Sequence, residues 1–132
     1  MLEEEVNMKN EIILFKNQGV KLEVNMKDET VWLSLDQMAE LFDRDKSVIS
    51  RHIKNALAEE LDNSTVANFA TVQKEGTREV IRNIEYYDLD MIISVGYRVK
   101  SKNGIIFRKW ANKVLKDYLL KGYAVNEKDW NI

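Results

Sequence analysis

The amino-acid sequence predicts an α+β fold in a single domain, on two observations of its apolar residues. These residues alternate along 11–33 and 64–87, in each case around a turn-forming stretch, which is the pattern of antiparallel hairpins. Along 35–58 and 89–121 they recur at helical spacing instead. The chain has 132 residues, 45% of them hydrophobic, and no proline, so it is long enough and apolar enough for one core.

The N-terminal part predicts a hairpin followed by a third strand. IILF leads to turn-forming residues over 17–19 and then to VKLEV, in which the apolar residues alternate. A polar turn over 27–29 precedes the short apolar run TVWL. We expect three side chains of the second strand to point inward: Val20, Leu22 and Val24.

A short helix over 35–42 is predicted by its start signal. Ser34 and Gln37 have the spacing of a capping box, in which each side chain accepts a hydrogen bond from the other residue's backbone N–H. Asp36 in the first turn suits the positive end of the helix dipole. The apolar face of this helix comprises Leu35, Met38, Ala39 and Phe42.

A second helix, from Lys46 to about Ala58, is predicted after a break over 43–45. Its residues separate into two faces when they are placed at about 100° intervals around the helix axis. The inner face holds Ile49, Ile53, Ala56 and Leu57. The outer face holds Ser47, Arg51, Lys54 and Ala58.

The second hairpin is predicted from STVANFATVQ and REVIRNIEYY, with KEGT as the turn between them. Gly76 is free to take the positive φ that such a turn requires. Polar residues along both strands indicate that one face of this hairpin is in contact with water.

Two helices are predicted after the second hairpin. Asp88 caps a helix over 89–95, and Gly96 interrupts it. We expect GYRVKSKNG to be a polar loop and the last helix to run over about 105–121, stopping at Gly122. The first of these helices buries Met91, Ile92 and Val95.

The first two helices have the spacing of a helix-turn-helix, which needs a small residue where the helices cross and a sharp turn between them. Ala39 and Ile49 lie ten positions apart, as expected when a three-residue turn joins the helices. Asp43 stands where glycine is usual, but aspartate tolerates the left-handed conformation better than most residues. Arg44 replaces the usual apolar residue of the turn.

The refined prediction is a winged helix-turn-helix with an N-terminal β-hairpin and C-terminal helices, because a hairpin follows the second helix directly. We expect one core that includes or adjoins seven residues: Trp32, Met38, Phe42, Ile49, Ile53, Leu57 and Phe69.

Sequence-specific binding of double-stranded DNA is the function that this pattern favours, although an ordinary solvated helix face has a similar composition. The candidate residues of the second helix are Lys46, Ser47, Ser50, Arg51, Lys54 and Asn55. At the hairpin tip, Lys74, Thr77 and Arg78 are placed to approach a phosphate backbone. One short recognition helix makes few base contacts, so we expect a homodimer that uses the Trp110–Leu120 segment.

Charge is distributed unevenly along the chain, whose net charge is -2. Residues 1–45 contain 11 acidic and 5 basic side chains, whereas residues 46–121 contain 14 basic and 9 acidic ones. Any phosphate-binding surface therefore belongs to the second part. Its most basic run, over 97–121, holds eight Lys or Arg and one acid, which fits a solvated helix face as well as phosphate contact.

Several function classes are disfavoured by composition. The chain has no cysteine and one histidine, so we expect no disulfide, no metal and no cofactor. We expect no enzyme, because Tyr97 and Arg98 lack the nearby histidine and further arginines that a tyrosine recombinase-like site needs. No apolar run reaches the roughly 18 residues of a membrane span and the start is acidic, so we expect a soluble, cytoplasmic protein with no membrane partner.

The chain resembles the virulence protein RhuM family from about Glu11 to Tyr123, through DETVWLSLDQMAELF, VISRHIKN, YYDLDMIISVGYRVKSKNG and FRKWANKVLKDYLLKGY. The third segment is the most specific, because general helix formation does not demand it. The family occurs in bacteria, often beside phage or restriction-modification genes. The resemblance implies a DNA-binding protein, such as a transcriptional regulator or a protein associated with a mobile element.

The resemblance also bears on boundaries and on the alternative function. Members of the family usually continue further, so we expect 123–132 to be a tail or the start of a missing region. Residues 1–10 are expected to form a flexible tail and 11–122 the folded domain. The alternative function is a protein–protein adaptor in a restriction-modification or virulence-associated complex. It would be favoured if Arg51 and Lys54 were paired with acids and apolar surface were exposed instead.

Overall fold

A five-stranded antiparallel sheet is the framework of the computed structural model, which describes residues 11–131 of the chain. Its strands are β1 (Glu11–Asn17), β2 (Val20–Lys27), β3 (Thr30–Ser34), β4 (Val66–Glu75) and β5 (Arg78–Asp88). They lie in the order β1-β2-β3-β5-β4, so the two predicted hairpins form one continuous sheet through the pairing of β3 with β5. The predicted α+β class is confirmed.

Tight turns connect the hairpin strands, as the sequence predicts. In the first turn, Gln18 and Gly19 have φ angles of 46° and 87°, and Gly76 in the last has a φ of 67°. The turn between β2 and β3 has left-handed residues without glycine, since Asp28 and Glu29 have φ angles of 56° and 62°. Positive φ at both central residues matches the right-handed twist of the flanking strands.

Four helices pack against the sheet in the described part of the chain: α1 (Leu35–Phe42), α2 (Lys46–Glu59), α3 (Leu89–Arg98) and α4 (Lys102–Asn131). A single 3-10 turn, Asn63–Thr65, precedes β4, where the sequence predicts strand from position 64. None of these helices is apolar over a length sufficient to cross a membrane.

Both predicted N-terminal caps are confirmed. Gln37 N–H donates to Ser34 Oγ over 3.2 Å, and Ser34 N–H donates to Gln37 Oε1 over 3.0 Å, which completes the capping box. Met91 N–H donates to Asp88 Oδ1 over 3.1 Å at the start of α3. Such caps satisfy N–H groups that have no partner inside the helix.

The predicted break at Gly96 is wrong. Helix α3 continues through it to Arg98, and α4 already begins at Lys102, so GYRVKSKNG is mostly helical. A Cβ on Gly96 would lie 3.1 Å from the Phe42 ring and 3.2 Å from Gly104 Cα. The two glycines thus allow α3 and α4 to approach closely, which is a packing role and not a helix-breaking one.

The predicted end of the last helix is also wrong, because α4 passes Gly122 and extends to Asn131. Glycine tolerates helical φ and ψ at a modest loss of stability, so a lone glycine does not require a helix end. The predicted tail over 1–10 lies outside the described residues.

The prediction of one core is wrong in part, because the sheet carries apolar clusters on both faces. Met38, Phe42, Ile49 and Ile53 are buried in the main cluster between the sheet and the helices, and Leu57 borders it. The second cluster lies on the other face, because Trp32 alternates with Val31 and Leu33 along β3. It comprises Trp32, Phe69 and Tyr86.

Candidate nucleic-acid interface

The turn between α1 and α2 has the geometry of a Schellman motif. Asp43 is left-handed, with φ 55° and ψ 53°, so it takes the conformation that usually selects glycine, as predicted. Its N–H donates to Glu40 O over 3.3 Å, and Arg44 N–H donates to Ala39 O over 3.0 Å. Asp45 then caps α2 by accepting from Ser47 N–H. The chain therefore reverses sharply over three residues and starts a new helix.

Arg44 has a structural role that the sequence did not reveal. Its guanidinium group donates to Phe42 O and Asp43 O, both over 3.1 Å, and to Val99 O over 3.0 Å. Asn103 Nδ2 donates in the opposite direction, to Leu41 O over 2.7 Å. The turn between α1 and α2 is thereby bound to the turn between α3 and α4.

Helix α2 presents the predicted polar face to solvent. Its inner residues Ile49, Ile53 and Ala56 are buried. The candidate residues Lys46, Ser47, Arg51, Lys54 and Asn55 are exposed, and Ser50 is half-buried. The structure therefore brings these six candidates together on the solvent side of one helix whose other side is fixed in the core.

The cations of α2 differ in their partners. Lys46 Nζ lies 3.2 Å from Asp36 Oδ1, although both side chains are largely exposed. Arg51 and Lys54 take part in no ion pair among the described residues. Their charges are consequently available to an anionic partner, whereas that of Lys46 is shared.

Two recesses flank the outer face of α2. Ser50 and Lys54 line the one toward the sheet, together with Glu85 and Tyr87. His52 and Asn55 line the one toward α3, which also holds Glu59, Glu60, Tyr97 and Arg98.

The second recess is electrostatically balanced. Arg98 lies 3.0 Å from both Glu59 and Glu60, and its Nε donates to Ser94 Oγ over 3.2 Å. Burial and the guanidinium groups of Arg51 and Arg98 lower the pKa of His52 below its ordinary value. His52 is therefore neutral at neutral pH.

The hairpin tip carries the remaining candidates in a more balanced charge environment. Lys74, Thr77 and Arg78 are exposed. Lys74 is paired in register with Glu79, and Arg78 with Glu75. Glu75 also accepts two hydrogen bonds from Arg82, over 2.6 and 2.9 Å. Lys74 and Arg78 thus each lie opposite a glutamate in the strand register, although neither forms an ion pair among the described residues.

The tip is distant from α2. Val66 and Tyr87, at the base of the hairpin, line the recess beside α2. Lys74 lies eight residues further along β4, which corresponds to about 26 Å at the rise of a β-strand. The structure thus separates the two groups of predicted DNA-binding residues.

No group of three or more histidine, aspartate or glutamate side chains in the described part of the chain is placed to bind a metal ion.

Comparison with known protein families places part of the chain in one of them. The pattern of the virulence protein RhuM family matches residues 64–131, which is 68 of 132 residues and covers β4, β5, α3 and α4. It includes the segments YYDLDMIISVGYRVKSKNG and FRKWANKVLKDYLLKGY. No curated protein and no solved structure matches the chain. Because the match covers more than half of its length, the chain belongs to the virulence protein RhuM family.

Proposed function

We propose that this protein binds double-stranded DNA sequence-specifically, with α2 as the recognition helix. The observation that carries the proposal is the outer face of α2, where Arg51 and Lys54 are exposed and have no ion-pair partner among the described residues. Serine, asparagine and arginine side chains on the same face provide hydrogen-bonding groups for base edges.

The surrounding geometry supports a winged helix-turn-helix. The three-residue turn over 43–45 separates α1 from α2, and the buried Phe42 and Ile49 hold the two helices in one core. Strand β3 enters α1 directly and pairs with β5, and the β4–β5 hairpin follows α2 along the chain, which is the order of elements in a winged helix-turn-helix. In such proteins the second helix of the pair lies in the major groove.

Arg51 and Lys54 are expected to contact different parts of the duplex. Arg51 projects from the middle of the outer face, where a forked guanidinium group can reach the acceptors of guanine. Lys54 borders the recess toward the sheet, near Ser50 and Glu85, where a point charge meets the phosphate backbone as the helix leaves the groove.

The hairpin tip is a secondary contact in this proposal. The tip lies about 26 Å along β4 from the base of the hairpin, a length shorter than one helical turn of DNA, so the tip can approach an adjacent groove. Since Glu75 and Glu79 accompany its cations, its contribution to affinity is smaller than that of α2.

Two variants test the proposal on a duplex selected from a random library by the wild-type chain. Arg51→Ala should weaken specific binding by about 1 to 3 kcal/mol and relax the preference at one base pair. Lys54→Ala should weaken all sequences alike and lower the salt slope by about one. Lys16→Ala, which removes an exposed cation on β1, is the matched control and should have no effect. If both α2 variants bind as the wild type does, α2 does not contact DNA.

The adaptor function is the second candidate, and one feature of the hairpin favours it. Val72 and Ile81 are cross-strand neighbours with exposed fractions of 60% and 72%. An exposed apolar pair is typical of protein-binding surfaces when it belongs to a larger patch. If Val72→Thr and Ile81→Thr weakened binding to a partner protein while Arg51→Ala left DNA binding unchanged, the adaptor function would be the better explanation.

We infer that the protein has no catalytic activity. Tyr97 and Arg98 do line one recess, but Glu59 and Glu60 occupy the guanidinium group that a phosphoryl-transfer site would need. Measurable nuclease or strand-joining activity that depends on Tyr97 would contradict this inference.

A homodimer remains part of the proposal. Trp110 is less available than expected, because its ring packs 5.1 Å from that of Phe15 and 5.4 Å from that of Phe107. Leu119 and Leu120 are exposed and form the better candidate surface on α4. Sedimentation at tens of micromolar, as an order-of-magnitude range, should give a dimer, and Leu119→Lys should give a monomer.

A further inference from the structure

A cavity of about 300 Å³ lies at the junction of α3 and α4, outside the face assigned to duplex DNA. Gly96 and Gly104 line it where the two helices cross, and their lack of side chains lets the two backbones approach each other beside Phe42. Ile93 and Ile105 add apolar surface at its sides. Its volume is at the lower end of the range for small-molecule sites, so it can accept one planar group.

Tyr97 forms one wall of this cavity and is unusually exposed for an aromatic residue. Its exposed fraction is 86%, the largest of any large hydrophobic side chain that the structure describes over 11–120. No hydrogen bond or ring contact of its side chain is present among the described residues. The ring face is therefore available for stacking.

The other residues at the cavity make it strongly cationic. Lys100, Lys102 and Arg108 line it, whereas no carboxylate does. None of the three forms an ion pair within the described residues. A ligand for this site should therefore carry negative charge beside a planar apolar group.

The backbone around the cavity is held in place before any ligand binds. Lys100 is left-handed, with a φ of 57°, and its N–H donates to Tyr97 O over 3.1 Å. Ser101 N–H donates to Gly96 O over 3.0 Å. Arg44 binds Val99 O and Asn103 binds Leu41 O, so this turn is fixed to the turn before α2. Such preorganisation lowers the entropy lost on binding.

We propose that this cavity binds an unpaired nucleotide of a DNA strand, with the base stacked on Tyr97 and the neighbouring phosphates on the three cations. An aromatic platform combined with a cationic groove is how proteins bind single strands without reading sequence. An acidic peptide would use the charges but not the exposed Tyr97 ring, and a base paired inside a duplex has no free face to stack.

The proposed nucleotide site extends the proposed DNA binding. It rests on that function only where a duplex on α2 brings an unpaired strand to the cavity. Tyr97 and Lys100 also line the recess that contains His52 and Asn55 of α2. A duplex on α2 therefore brings a frayed or overhanging strand close to the cavity. The chain would then prefer DNA in which a duplex adjoins unpaired nucleotides.

Fluorescence anisotropy with the full chain tests the site directly. The probes are an oligothymidine of about 12 nucleotides, an abasic strand of equal length and a blunt duplex. Tyr97→Ala should weaken oligothymidine binding by about 5- to 100-fold and leave the abasic strand and the duplex unchanged. Tyr97→Trp should retain the affinity, because the larger ring still stacks. Arg108→Ala should weaken both single strands, whereas Lys113→Ala, further along α4, should not.

Three results would overturn the proposal. The first is equal affinity of the wild type for oligothymidine and the abasic strand, and the second is an unchanged affinity in Tyr97→Ala. The third is displacement of oligothymidine by a glutamate-rich peptide as effective as by unlabelled oligothymidine, which would indicate a peptide site. If oligothymidine binding depends on Tyr97 while Arg51→Ala leaves duplex binding intact, this proposal stands and that for α2 fails.

Discussion

The two helix pairs, α1 with α2 and α3 with α4, are joined by turns of nearly the same geometry but pack differently. Asp43 and Lys100 are both left-handed, with φ angles of 55° and 57°, and each turn closes with the same pair of backbone hydrogen bonds. In the second pair the backbones approach each other at Gly96 and Gly104. In the first pair, buried side chains such as Phe42 and Ile49 hold the helices together. The outer face of α2 is in contact with solvent. One local turn can thus support either a closely packed pair or a projecting helix.

The two pairs are not independent, because they share contacts. Phe42 of α1 packs against Gly96 of α3, and Arg44 and Asn103 join the two turns. The position of α2 should therefore depend on residues of α3 and α4 that are distant in sequence.

The largest effect is expected at the glycine crossing. Gly96→Val should destabilise the protein by about 3 kcal/mol, because the added methyl groups meet the buried Phe42 ring and the backbone of Gly104. Urea denaturation followed by circular dichroism measures this change. Ala58→Val, at an exposed position of α2, is the control for valine in a helix and should cost less than about 1 kcal/mol. Equal effects of the two changes would mean that α3 and α4 are not closely packed.

A smaller effect is expected at the bonds between the two turns. Arg44→Ala and Asn103→Ala should each destabilise by about 1 kcal/mol, since each leaves a partly buried carbonyl without its donor. The double variant should lose less than the sum, by about 0.5 kcal/mol or more, because both bonds hold the same two turns together. Strictly additive losses would show that the helix pairs are independent.

The smallest effect is expected at the left-handed positions themselves. Lys100→Gly should stabilise by up to about 1 kcal/mol, since glycine adopts positive φ without the steric strain of a Cβ. Asp43→Gly should stabilise less, because aspartate already tolerates this conformation. Thermal melting of both variants measures the difference. A lower melting temperature for Lys100→Gly would show that its side chain contributes packing that outweighs the strain.

Local signals in the sequence were sufficient for most elements of the fold. The capping box of Ser34 and Gln37, the cap at Asp88 and the left-handed Asp43 depend on groups within a few residues, so spacing alone predicts them. The two faces of α2 follow from helical periodicity in the same way. The candidate face on α2 was therefore predictable from sequence.

The errors concern contacts between distant parts of the chain. From its neighbours in sequence, Gly96 is predicted to break the helix. The residue that it meets in space, Phe42, lies 54 positions earlier. From sequence alone, Arg44 is a departure from the helix-turn-helix pattern. Its structural role depends on a hydrogen bond to Val99 O, 55 positions away. Trp32 is expected in a single core, but it alternates with the buried Val31 and Leu33 and packs on the other face against Phe69, which lies 37 positions later. Sequence periodicity contains no information on which distant elements meet.

If α2 contacts duplex DNA with its outer face, an NMR titration maps that contact residue by residue. Backbone amide signals of the full chain are followed as a short random-sequence duplex is added at low salt. We expect the largest shifts at Ser47, Arg51 and Asn55, smaller ones near Lys74, and none along β1. Shifts confined to the Val72–Ile81 hairpin or to the α3–α4 junction, with α2 unchanged, would contradict it.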